Sequence, residues 1–134
     1  MKNLLLVSIL LLILIIILIS LFKKKNKKIA FCFLIYDKIN HEELWNNFFD
    51  NINQNKYNIY IHYKDNKPLK YFDKYKLKNC IETEYAKLSL VKASNLLFEE
   101  AYKDSSNYKF ILLSNSCIPL KNFDYIYNKL TKDN

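Results

Sequence analysis

Three short stretches of this 134-residue chain concentrate side chains able to contact a ligand: Tyr36-Asp37-Lys38, residues 62–65 (HYKD) and Ser114-Asn115-Ser116-Cys117. Hydroxyls, amides, carboxylates and lysine ammonium groups of this kind recognise a ligand by hydrogen bonding and charge. Metal and nucleophile chemistry find less support. Cys32, Cys80 and Cys117 are widely spaced, and no CxxC or Cys/His cluster accompanies them, so a structural zinc site is not expected. Cys117 has no histidine near it in sequence to activate a thiolate, and Cys32 sits in an apolar run as a small core residue. In an oxidising lumen one disulfide is possible, with no pair singled out. His62 falls within a strand pattern and reads as a satisfied core or rim histidine rather than a catalyst.

The elements that must hold these stretches follow from the hydrophobic pattern. Residues 29–36 (IAFCFLIY) form a continuous apolar run, which suits a strand buried on both faces. Asn40 with Glu43 three residues on has the capping-box form, opening a helix that carries Leu44, Trp45, Phe48, Phe49 and Ile52 on one face. Residues 57–63 (YNIYIHY) read as a second strand, ended by the turn residues 64–68. Residues 69–87 show no clear period, with a short strand expected near 78–81. A long helix begins at Ser89, with Leu90, Val91, Ser94, Leu97, Phe98 and Ala101 on one side and a Glu99/Lys103 pair on its surface. Residues 108–113 (YKFILL) read as another buried strand, and a last short helix runs over 123–130. Strands alternating with helices predict a mostly parallel sheet with right-handed crossovers. Ligands bind such sheets beyond the carboxyl ends of the strands, which makes the three polar stretches the candidate site.

Residues 4–22 contain nineteen residues without a charge. As a helix they reach roughly 28 Å, enough for a hydrocarbon core of about 30 Å. A cleaved secretory signal would have a shorter apolar stretch and a small-residue cleavage site; here the run ends in Leu21-Phe22-Lys23-Lys24-Lys25. The expected organisation is therefore a short flank (1–3), a transmembrane signal-anchor in the lipid bilayer (4–22), a basic linker (23–28) and a folded region (29–134). The KKKNKK flank taken alone places that region on the cytosolic side, and no N-x-S/T acceptor supports a luminal one. The net charge of +8 comes from a chain whose basic residues are all lysine, five of them in that flank, where anionic head groups can meet them. Nucleic-acid binding is not expected, because the remaining lysines are scattered among acids and no arginine is present.

Four phrases, IAFCFLIYDK (29–38), YNIYIHYK (57–64), LSLVKASNLL (88–97) and YKFILLSNSCIPL (108–120), together resemble the Core-2/I-branching β-1,6-N-acetylglucosaminyltransferase family. The last is the most specific: a strand ending in Leu-Leu-Ser, a short polar loop and a Pro-Leu. Cys117-Ile118-Pro119 stands where many members have an aspartate before an aromatic residue and proline, which looks closer to the plant branch. The resemblance covers nearly all of 29–130.

It implies a GT-A-like nucleotide-sugar-binding sheet in a Golgi or secretory-pathway membrane enzyme held by one N-terminal helix. The implied reaction transfers sugar from a UDP-sugar to a glycan acceptor with inversion and without a metal or other cofactor. No D-x-D metal motif occurs in this chain. The resemblance also implies that the general base and the diphosphate-binding basic residues lie beyond the equivalent of residue 134. The chain thus looks like the donor-binding half, inactive alone, with no catalytic residue of its own and a separately encoded C-terminal half as a possible partner. The implied nucleotide-sugar contacts are Tyr36, Asp37, Lys38, Lys64, Asp65, Ser89, Ser114, Asn115 and Ser116, with Lys64 standing where relatives often carry an acid. Each has a plainer reading as strand exit, turn former, helix cap or loop cap. A different class of function, a non-catalytic membrane-tethered α/β module that binds a nucleotide-sugar or a protein partner, also fits the sequence.

Overall fold

The computed structural model describes residues 9, 11–15 and 27–132. Most of the expected membrane span lies outside the described residues. Ile9 and residues 11–15 are helical, and no described helix is long and apolar enough to cross a membrane.

Three strands, β1 (Lys28–Ile35), β2 (Tyr57–Tyr63) and β3 (Asn107–Ser114), form a parallel sheet in the order β2-β1-β3. Among the described residues three α-helices pack with the sheet: α1 (Glu42–Phe49), α2 (Leu88–Tyr102) and α3 (Phe123–Thr131). The α/β class expected from the alternating pattern is the one observed. The chain moves from β1 outward to β2, then crosses back over β1 to reach β3. Right-handed crossovers in opposite directions must lie on opposite sheet faces, and the packing shows this. Odd-numbered β1 residues Ile29, Phe31, Phe33 and Ile35 join Trp45, Phe49 and Phe123 in one core cluster. Even-numbered Ala30 and Cys32 meet Leu97 and Ala101 of α2 in the other. Small β1 residues on the second face let α2 approach closely. Large ones on the first face fill the gap with rings: Phe31 meets Phe49 edge-on at 5.0 Å and Phe33 meets Trp45 at 5.0 Å.

Several local expectations give way to tertiary contacts. No strand forms at 78–81; a single parallel bridge joins Ile61 to Lys76 instead. Beyond it the backbone is diverted to side chains: Tyr63 N–H donates to Cys80 Sγ (3.4 Å) and Ile81 N–H to His62 Nε2 (3.0 Å). The capping box at Asn40 does not form. The α1 N-cap is His41, without a side-chain bond, because the Asn40 amide donates to Ser116 Oγ (3.0 Å). Ser89 is not the cap of α2 either; Lys87 precedes that helix without a side-chain cap bond, and Ser89 Oγ accepts from Glu84 N–H (2.9 Å). On the α2 surface Lys103 pairs with Glu100 rather than Glu99. β3 is an edge strand, with Tyr108, Phe110 and Leu112 exposed on the α2 side of the sheet. The three cysteines are free thiols.

A polar cluster closes the amino-terminal end of the sheet. Asp104, just after α2, accepts from Ser106 Oγ (2.6 Å), Ser106 N–H (2.9 Å) and Asn58 Nδ2 (2.8 Å), and Lys28 Nζ lies 3.5 Å away. The Ser106 hydrogen bonds, more than the lysine, hold its carboxyl well below the usual range. A carboxyl depressed in this way contributes stability above its unfolded value of about 3.9, and that contribution is lost as pH falls further. Because Asp104 is partly exposed, Asp104→Ala is expected to cost only about 1–2 kcal/mol at neutral pH. Urea titrations at about pH 7 and pH 3 check this: the gap between wild type and variant should shrink in acid.

Candidate functional site

The carboxyl ends of the strands open into a cleft of about 390 Å³. Leu34, Ile35 and Tyr36 line it from β1, Lys64 from the end of β2, and Ser114 and Asn115 from the end of β3. Residues 83–85, with Leu90 in the first turns of α2, form the remaining wall. The position follows from the topology. The two crossovers leave β1 in opposite directions on opposite faces, so among the described residues no crossover covers the crevice at its carboxyl end, the switch point where parallel α/β sheets seat ligands.

Backbone bonds fix the rim. Lys64 N–H donates to Tyr36 O (2.9 Å) and Asp65 N–H to the same oxygen (2.8 Å), joining the exits of β1 and β2. Asn40 N–H donates to Asn115 O (2.9 Å) and Trp45 Nε1 to Cys117 O (2.9 Å), tying the turn after β3 to α1. Lys64 Nζ sits 5.2 Å from the centre of the Tyr36 ring, a cation held over an aromatic face at the cleft mouth. Tyr85 is 94% exposed at the lip, while Thr83 beside it is buried.

Of the nine residues singled out from the sequence, Tyr36, Lys64, Ser114 and Asn115 line this cleft. The others do not. Asp37 is bound to Lys67 at 2.7 Å, and that hydrogen bond holds its carboxyl below the usual value and raises the lysine. Lys38 is exposed outside the cleft. Asp65 lines a neighbouring cleft of about 470 Å³, shared with Lys64 and walled by residues 78–82. Ser89 anchors the wall from behind through Glu84, and Ser116 turns its hydroxyl to Asn40. Ser114 Oγ lies 3.4 Å from Cys117 Sγ, so it also braces its own turn. The first cleft is the better site because three strand ends converge on it; the second flanks one edge strand.

Thr83, Glu84 and Tyr85 were missed from the sequence, since their segment has no period. One backbone feature marks them. Ala86 adopts φ 57°, a left-handed conformation that a Cβ opposes, to turn the wall into α2. Ala86→Gly is expected to raise stability by about 0.5–1 kcal/mol, read as a higher melting temperature. Among the described residues no group of three or more His, Cys, Asp or Glu side chains converges to hold a metal ion.

A parallel sheet whose strand order reverses at β1, with a cleft at the reversal, defines a doubly wound α/β domain. A profile of the Core-2/I-Branching enzyme family matches residues 29–134, and the chain belongs to that family. A curated relative is "Glycosyltransferase BC10" of Oryza sativa subsp. japonica, 26% identical over 110 residues, which are 77% of this chain and 28% of the relative. The chain therefore spans less than a third of that relative's length. No solved structure matches.

Proposed function

We propose that the chain is the membrane-anchored, donor-binding part of an inverting, metal-independent glycosyltransferase, which seats a UDP-sugar in the switch-point cleft. The observation that carries this reading is the convergence of Tyr36, Lys64, Ser114 and Asn115 on one cleft in a chain of this family. Tyr36 and Tyr85 offer aromatic faces for a base, Lys64 offers charge to the diphosphate, and Ser114, Asn115, Thr83 and Glu84 offer partners for hydroxyl groups. The sheet belongs to a GT-A-like domain. Residues 4–22 form the anchor in a Golgi or other secretory-pathway membrane, and the transfer takes a glycan acceptor. Calorimetric titration of the full chain in detergent micelles with UDP tests donor binding. The expected result is saturable heat, and no heat at millimolar UDP would overturn it.

The exposed side of β3 supports a further part of this reading. Phe98, Tyr102 and Phe110 border an apolar groove of about 470 Å³ beside the open strand edge, and Tyr102 is 79% exposed. The relative's match covers 28% of its length. The proposed occupant is the remainder of a transferase domain, either continuous with this polypeptide or separately encoded. Transfer activity is expected only with that remainder present. Tyr102→Lys should change stability by no more than about 0.5 kcal/mol, as for other exposed sites. It should weaken association with a co-expressed polypeptide corresponding to the rest of the relative; unchanged association would contradict this occupant.

A further inference from the structure

His62 has no exposed surface. Its Nε2 accepts from Ile81 N–H at 3.0 Å, so the imidazole is neutral and carries its proton on Nδ1. That Nδ1 is buried and, among the described residues, has no hydrogen-bond partner. The bond reaches across β2 to the start of the segment whose residues Thr83, Glu84 and Tyr85 wall the cleft. We infer that His62 is a pH-sensitive latch on that wall: neutral, it holds the 81–85 segment in place; protonated, it releases it. The consequence for ligand binding rests on the proposed function, whereas the latch itself does not.

The geometry requires release. An imidazolium has two N–H donors and no acceptor, so it would meet the Ile81 N–H donor to donor. A buried cation without a counter-ion is also costly to keep, and the described residues around the ring supply none. The titratable neighbours along β2 are Tyr60 and Lys64, and Leu34 stands opposite on β1 with Cys32 two residues before it. The edge segment contributes Lys78, Cys80, Glu82 and Glu84, of which Lys78, Glu82 and Glu84 are exposed. The buried residues of α2 are Ala93, Leu97 and Ala101, and Ser94 spends its hydroxyl on Leu90 O. Burial alone shifts the imidazole, and it shifts it below its ordinary 6.5. The sign follows: the latched state is fully favoured above 6.5 and loses stability as pH falls through the lowered value.

The other hydrogen bonds on the wall sit at its far end, where Lys87 N–H donates to Glu84 O (3.3 Å). Glu84 N–H donates to Ser89 Oγ, a bond that leaves 81–83 free to move once Ile81 lets go.

Amide exchange on the full chain in detergent micelles, corrected for intrinsic rates, tests the latch between about pH 7.5 and pH 5. Protection at 81–85 should fall by up to about tenfold per pH unit once one proton drives opening, while Phe31 and Phe33 in β1 stay protected. His62→Gln, whose side-chain oxygen can accept from Ile81 without titrating, should abolish the pH dependence. Should that variant fail to fold, the His62 ring nitrogens in the wild-type chain give the same answer by NMR, titrating with the same midpoint as Ile81 exchange. Unchanged protection at 81–85, a loss shared equally by β1, or pH dependence persisting in a folded His62→Gln would each overturn the latch. A pH-dependent wall in a chain that does not bind UDP would sink the donor-binding reading and leave the latch standing.

Discussion

Phe31→Ala is expected to cost about 3–5 kcal/mol, among the largest losses a single core truncation gives. Phe31 is 1% exposed at the centre of β1, and its ring meets Trp45 (6.2 Å), Phe48 (5.8 Å), Phe49 (5.0 Å) and Phe123 (6.2 Å). Those four rings come from α1 and α3, so a cavity there loosens both helices from the sheet at once. Neighbours this rigid collapse poorly into a void, which places the cost toward the upper end. Against a typical stability of about 5–15 kcal/mol, such a loss leaves a marginal domain. Urea unfolding followed by Trp45 fluorescence measures it, and a loss under about 1.5 kcal/mol would contradict the packing described.

Lys64→Glu is expected to weaken UDP binding by about 30- to 100-fold, or about 2–3 kcal/mol, with little change in stability. The substitution removes the one lysine that lines the cleft among the described residues and sets a carboxylate against the diphosphate. The hydrogen bonds that hold this turn come from the Lys64 backbone, which donates to Tyr36 O and Ile35 O, and they survive the change. Lys38→Glu makes the discriminating control. It carries the same charge reversal near the same strand tip but lies outside the cleft, so the expected effect is less than about threefold, as for a screened surface charge. Equal effects at the two positions, measured by calorimetry, would mean that general electrostatics rather than this cleft attracts the ligand.

Much of this arrangement could be read from the chain, and the failures share a cause. The apolar run at 29–36 and the two helical patterns specify β1, α1 and α2, because their periods are set by burial on one or two faces. Strand tips then locate Tyr36, Lys64, Ser114 and Asn115. Residues 69–87 resisted because distant groups shape them. The Glu42 carboxylate accepts from the backbone N–H of Lys70 (3.1 Å), Tyr71 (2.6 Å) and Phe72 (3.1 Å), and Lys76 Nζ reaches Lys67 O (2.6 Å), Asn66 Oδ1 (3.0 Å) and Asp73 Oδ1 (2.7 Å). Such contacts leave no periodic trace, so Thr83, Glu84 and Tyr85 stayed hidden. The capping box failed for the same reason: Asn40 has a better partner in Ser116, 76 residues away in sequence. β3 was misread as buried because an apolar edge strand has the same composition as a buried one. Its open edge is where the proposed remainder of the domain would pair.

The proposed function requires that UDP occupy the switch-point cleft. Chemical-shift mapping of the isotope-labelled full chain in micelles during a UDP titration tests it residue by residue. Saturating shifts are expected at the amides of Tyr36, Lys64, Thr83, Glu84, Tyr85, Ser114 and Asn115, with Lys38, Ser116 and the Phe98–Tyr102–Phe110 groove unmoved. Shifts confined to the groove or to the lysine-rich surface, with the cleft amides silent, would contradict it.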